Sequence, residues 1–136
     1  MKCFIIYSRL FIPIFFFLLC ACEKEDPKPP AGINEAPEIT VTSPPGHNQY
    51  TTGQSIQVVA NVKDNKEIYE VFVQLKNLSD NTILSIFSVH VHQTNYDLHT
   101  SYTVGSYTPP GDYSLIIKAT DLDNNVSEKT VPVTIN

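Results

Sequence analysis

The side chains best suited to chemistry cluster in one stretch, "VHVHQTNYDLHT", Val89 to Thr100, which holds three of the four histidines. His90, His92, Asp97 and His99 supply three imidazoles and a carboxylate. That donor set suits zinc, nickel or copper(II), whereas calcium prefers oxygen ligands alone. The set works only if the four side chains share a face. A hairpin of Ser85–His92 and Tyr96–Val104, turning at Thr94-Asn95 or over Gln93–Tyr96, provides this. It pairs His92 with Asp97 and His90 with His99. Phe87, Val89, Val91, Leu98, Thr100 and Tyr102 then share the core face, which is what sets a register. Cross-strand neighbours on one face lie about 4.5–8 Å apart, close enough for imidazoles to converge. A plainer reading fits the same residues: a solvated polar strand face needs no ligand. His47, in "PPGHNQY", reads as a loop residue outside the cluster.

A second candidate is "DLDNN", with Asp121 and Asp123. It opens like an EF-hand loop, but Val126 stands where the glycine is due and Pro132 where the glutamate is due. A cadherin-like calcium site drawing also on Asp64 or Glu67 is the remaining form, against a plain turn. Catalysis finds little support. There is no Gly-x-Ser-x-Gly elbow, phosphate loop or His-Glu-x-x-His motif. The chain is therefore expected to be no enzyme. Sugar binding needs aromatic platforms. With no Trp, only Tyr50, Tyr96 and Tyr107, in or beside predicted loops, are available.

The elements that would position these residues are strands. From Pro37 onward apolar residues alternate: Ile39 and Val41; Ile56, Val58, Ala60 and Val62; Tyr69, Val71, Val73 and Leu75. Phe87, Val89 and Val91 follow, then Leu98 to Val104, Tyr113 to Ala119, and Val131, Val133 and Ile135. Period-two alternation marks half-buried strands. "SPPGHNQYTTG", "DNKE", "NLSDN", "QTN", "TPPG" and "DLDNN" read as the turns between them. About seven short strands predict an all-β, two-sheet sandwich over residues 37–136. Pro132 predicts an edge or an irregular pairing in the last strand.

The N-terminus reads as an address. Lys2 and Arg9 flank the uncharged run Leu10–Ala21, short for a membrane span and suited to a signal peptide over residues 1–21. "LCAC" resembles the bacterial lipobox. That resemblance implies lipidation of Cys22 and removal of Cys3 and Cys20, so no disulfide in the domain. Residues 22–36, charged and proline-rich, then form a tether reaching up to ~40 Å in extended form. Glu23, Glu25 and Asp26 resemble the export signal of surface-exposed Bacteroidota lipoproteins. The expected location is the outer membrane, displayed at the cell surface and held by lipid. Downstream of Cys22 fourteen acids face seven lysines, a net charge of −7. Nucleic acid is not an expected partner.

"PPGDYSLIIKATDLDNN" resembles the penultimate strand of bacterial immunoglobulin-like domains: Gly-x-Tyr, alternating apolars, Ala-x-Asp, then a turn. The resemblance makes Tyr113 the tyrosine-corner residue, with Leu115 where antibody domains keep a cysteine. Asn124 replaces a turn glycine. "VKDNKEIYEVFVQL" likewise resembles the B–C region of such domains. His92, Asn95, Tyr96, Asp97 and His99 further resemble a block in uncharacterised Bacteroidota lipoproteins with one immunoglobulin-like domain of unknown function. That family implies no activity. It leaves two expectations: a binding or accessory module holding a transition metal such as zinc, or a metal-free module for glycan or surface protein.

Overall fold

The computed structural model describes residues 32–136; the expected signal peptide, the expected lipidation at Cys22 and the expected tether up to residue 31 lie outside the described residues. Six strands follow: β1 Glu38–Ser43, β2 Asn48–Tyr50, β3 Ser55–Asn77, β4 Ile83–Thr103, β5 Gly111–Asp121 and β6 Val126–Ile135. Among the described residues there is no helix.

The difference from seven short strands has one cause. "DNKE" and "QTN" are corners, not turns. β3 and β4 run through them for 23 and 21 residues and pair antiparallel along almost their whole length. At the first corner four residues of β3, Asp64–Glu67, face the single Thr94. At the second, Val91 and His92 of β4 face Tyr69, and His92 takes a left-handed φ of 54°. Extra residues of this kind bend a strand sharply. β2 is a short addition inside what reads as the loop "SPPGHNQYTTG".

The corners fold one sheet into two layers. Before the corner β3 pairs with β1 and with the second half of β4. After it, β3 pairs with β5 and with the first half of β4. β6 continues the second layer beside β5, and β2 joins β6 in parallel from Val133. Pro132, lacking an N–H, sits just where β6 stops being an edge. The result is an all-β sandwich in which β3 and β4 are shared between both layers and β4 forms the edge of each.

The apolar alternation fills the space between the layers. Ile56, Val58, Ala60, Val62, Val71, Val73, Leu75, Leu98, Leu115, Ile117, Ala119, Val133 and Ile135 are all buried in one cluster. Each fully buried aliphatic side chain contributes about 1.5–3 kcal/mol. At the corner the parity slips: Ile68 enters the core and Tyr69 turns outward, 37 % exposed. Three local features match the immunoglobulin-like pattern. Gly111 opens β5 at φ 148°, a conformation glycine tolerates. Tyr113, 4 % exposed, donates its hydroxyl to the carbonyl of Pro109 at 2.7 Å, which is the tyrosine corner. Asn124 adopts φ 65°, the left-handed geometry for which it stands in for glycine.

Candidate functional site

The expected metal cluster depends on β4 folding back on itself, and it does not. His90 lies opposite Glu70, Asp97 opposite Asn61 and His99 opposite Val59, all across from β3. At about 3.3 Å per residue, nine positions separate His90 from His99 by on the order of 25–30 Å of strand. The pairs His92–Asp97 and His90–His99 are absent, and the four-ligand arrangement with them. Among the described residues no group of three or more His, Cys, Asp or Glu is placed to hold a metal ion.

The four side chains instead have separate partners. Asp97 Oδ1 accepts from Asn61 Nδ2 at 2.7 Å. His99 is exposed. His90 and His92 remain neighbours, with ring centroids 6.3 Å apart and Tyr69 at 4.9 and 5.8 Å. His92 Nδ1 contacts Glu67 Oε1 at 2.8 Å. The sequence pattern grouped residues by alternation alone; the corner at His92 breaks that alternation.

Asp121 and Asp123 also differ from the calcium expectation. Asp121 is 1 % exposed. Its Oδ1 accepts from the Asn125 backbone at 2.8 Å; its Oδ2 accepts from Asn125 Nδ2 at 2.7 Å and Asn34 Nδ2 at 2.6 Å. Asp123 Oδ2 accepts from the same Asn34 amide at 2.8 Å and pairs with Lys66 Nζ at 3.2 Å. Donors thus already engage both oxygens of Asp121 and Oδ2 of Asp123. Asp64 Oδ1 caps the Lys66 N–H, and Glu67 has turned to His92. Asn34 Oδ1 and Asp64 Oδ2 are buried acceptors without a protein donor. Asn34 lies just before β1, so this polar pole is where the chain enters the domain.

The opposite pole is built differently. The two halves of β4 meet at the corner and diverge from it, because sandwich layers stand about 10 Å apart. At their far ends they leave a gap. Ile83 and Leu84 of β4, Leu75 of β3, and Tyr102, Tyr107 and Pro109 line a pocket of about 380 Å³ there. The Tyr102 hydroxyl is engaged with Thr108 Oγ1 at 2.8 Å and that of Tyr113 with Pro109, so both present ring carbon. Burial pushes the Tyr113 phenol up from its ordinary value, a shift opposed by the Asn77 hydrogen bond and aided by Asp80. Tyr107 stands 97 % exposed at the mouth, and Ile83 and Leu84 are 57 % and 44 % exposed. Of the three tyrosines considered for sugar binding, only Tyr107 is free. Tyr50 and Tyr96 pack against the core. The sequence signal for this pocket was present in "TILSIF", whose apolar residues exceed what a half-buried strand needs.

Among solved structures the fold resembles fibronectin(III)-like modules of Clostridium thermocellum CbhA, with a TM-score of 0.50 and 22 % identity. That match covers 73 % of this chain and 46 % of that one. A Niemann-Pick type C2 protein from Japanese carpenter ant matches at 0.52 and 10 %, over 77 % and 96 % of the two chains. A β-glucosidase from Listeria innocua matches at 0.51 and 14 %, over 76 % of this chain and 16 % of that one. The chain therefore spans less than half of the first of these and a sixth or so of the last. Such identities define a fold class, the immunoglobulin- and fibronectin III-like β-sandwich. Within it, residues 20–136 match one family, and the chain belongs to it: a domain of unknown function (DUF4625). No curated protein matches the chain in sequence.

Proposed function

We propose that the chain is a bacterial lipoprotein, anchored through Cys22 and displayed at the outer-membrane surface, whose sandwich is a non-catalytic binding module for another surface protein. The observation that carries this reading is the position of the apolar pocket. It opens at the pole opposite to the one where Asn34, near the start of the described residues, hydrogen-bonds Asp121. The pocket lining supports a binding rather than a catalytic role: the hydroxyls of Tyr102 and Tyr113 are engaged, and the remainder is Tyr107 with aliphatic, threonine, glycine and proline residues.

Cys22→Ala tests the anchor. It should abolish lipid labelling and release the protein from the membrane fraction; unchanged labelling would remove the lipoprotein reading. A cross-linking pull-down from intact cells tests the module, with Tyr107→Ala expected to lose the captured protein. A glycan reading is favoured by one feature, the free Tyr107 ring at the pocket mouth. A glycan array that responds to Tyr107→Ala, with no captured protein, would replace the protein reading with it.

A further inference from the structure

The edge of β4 and the pocket at its start form one surface. β4 hydrogen-bonds only to β3, so the other side of its backbone carries unpaired N–H and C=O groups. Natural edges are usually blunted by lysine, proline or inward charge. From Thr82 to Tyr96 there is no Asp, Glu, Lys, Arg or Pro. Only bulges, at Ile86 and at Val91–His92, interrupt the edge, leaving Ile83–Ser85 and Phe87–His90 as its straight runs.

A strand laid along this edge would alternate its side chains as β4 does. Leu84 lies opposite Leu75 on the inward face. An inward residue of the added strand would therefore stand beside Leu84, over the pocket. The lining there is ring carbon and aliphatic carbon, so it takes an apolar side chain. At about 380 Å³ it has ample room for an aromatic one. Charge selects between occupants. The chain carries a net −5; at this pole Asp80 acts on Tyr113 and Asp112 lies beside it, two carboxylates against the one lysine, Lys76, opposite Ile83. Two acidic copies repel, whereas a basic segment is attracted.

We propose that this surface binds an extended segment of another protein by strand addition to β4, with one bulky apolar side chain in the pocket and Lys or Arg beside it, near Asp80. The mode is backbone pairing for affinity and a side-chain pocket for selectivity. It rests on the binding-module reading and names the partner's chemistry.

The probe is a pool of short peptides, Lys-Lys-Thr-X-Thr-Val-Thr, with X varied over all residues, titrated against the full chain in detergent. Members with X aromatic or large aliphatic should bind saturably and slow amide exchange at Ile83–Ser88. Replacing both lysines by glutamate, or N-methylating the backbone on the pairing side, should each weaken binding about tenfold or more. Tyr107→Ala, at an exposed position that leaves folding intact, should also weaken it, as should Leu84→Lys. No saturable binding by any member overturns the proposal. So does binding that is indifferent to N-methylation, which marks a simple apolar pocket. Sedimentation showing that the peptide-free chain pairs with itself through β4 overturns it in favour of a second copy. A cell-surface pull-down or glycan array that succeeds while the pool fails leaves the binding-module reading standing and removes strand addition alone.

Discussion

The two poles of the sandwich differ in how their polar groups are used. At the pole holding Asn34, the Asp64–Glu67 corner, His92 and Asp121–Asn125, nearly every ionisable side chain has a partner within the protein. At the opposite pole the hydrogen bonds tie tyrosine hydroxyls inward and leave apolar surface facing out. Residue types that can do chemistry are concentrated at the first pole, yet they are occupied with holding two long strands through a corner. The second pole has few such types and an open pocket. Chemical potential in a sequence is therefore a poor guide where the same groups are needed to satisfy irregular backbone.

The contrast can be broken most strongly at Asp121. Asp121→Ala would strip acceptors from the Asn125 backbone and from two amides in a buried site. A loss of about 3 kcal/mol is expected, read as a lower midpoint in chemical denaturation. Asp123→Ala, whose ion pair with Lys66 is exposed, should change stability by no more than about 0.5 kcal/mol. Equal losses would mean that the polar pole is not organised around Asp121.

At the other pole Tyr113→Phe removes the corner hydrogen bond while keeping the ring. About 1 kcal/mol should be lost, by the same denaturation measurement. An unchanged midpoint would show that the corner is held by packing alone.

Metal titrations sharpen the reading of the first pole. Zinc should show no one-to-one heat of binding in calorimetry, because His90 and His99 lie far apart along β4. A stoichiometric site lost in both His90→Ala and His99→Ala would mean that β4 folds back in solution. Calcium should leave the melting temperature unchanged. A rise would mean that the unpartnered oxygens of Asn34 and Asp64 join Asp121 and Asp123 around an ion.

The smallest effect concerns acid. The Thr82 N–H and then the Thr82 hydroxyl hold Asp80 below its ordinary 3.8. A carboxylate depressed in the folded state adds stability that is complete above its unfolded value. That increment disappears as pH falls through the lower folded value. An NMR titration should find Asp80 midpoint below 3.8, with the Thr82 amide resonance moving in step. A midpoint at or above 3.8 would mean that the β3–β4 turn is not closed by these bonds.

Much of the sandwich is readable from alternation. Val58, Val62, Val73, Leu115, Ile117 and Val133 are buried as their spacing predicts, because side chains alternate across any strand whatever its neighbour. The glycine and tyrosine of "GDY" likewise act locally, through φ at Gly111 and a hydrogen bond four residues back from Tyr113. The identity of the neighbouring strand is not a local property. A period-two pattern suits β4 folded on itself and β4 laid along β3 equally well. Tertiary structure decided between them. Pairing β3 with β4 through one tight turn after Asn77 satisfies both long backbones at once, and it places Val89 against Val71 and Leu98 against Ala60. Turn-like residues at "DNKE" and "QTN" then serve as bulges that carry one ribbon between two layers. That crossing separates His90 from His99, moves Ile68 into the core in place of Tyr69, and opens the gap at the far pole that becomes the pocket.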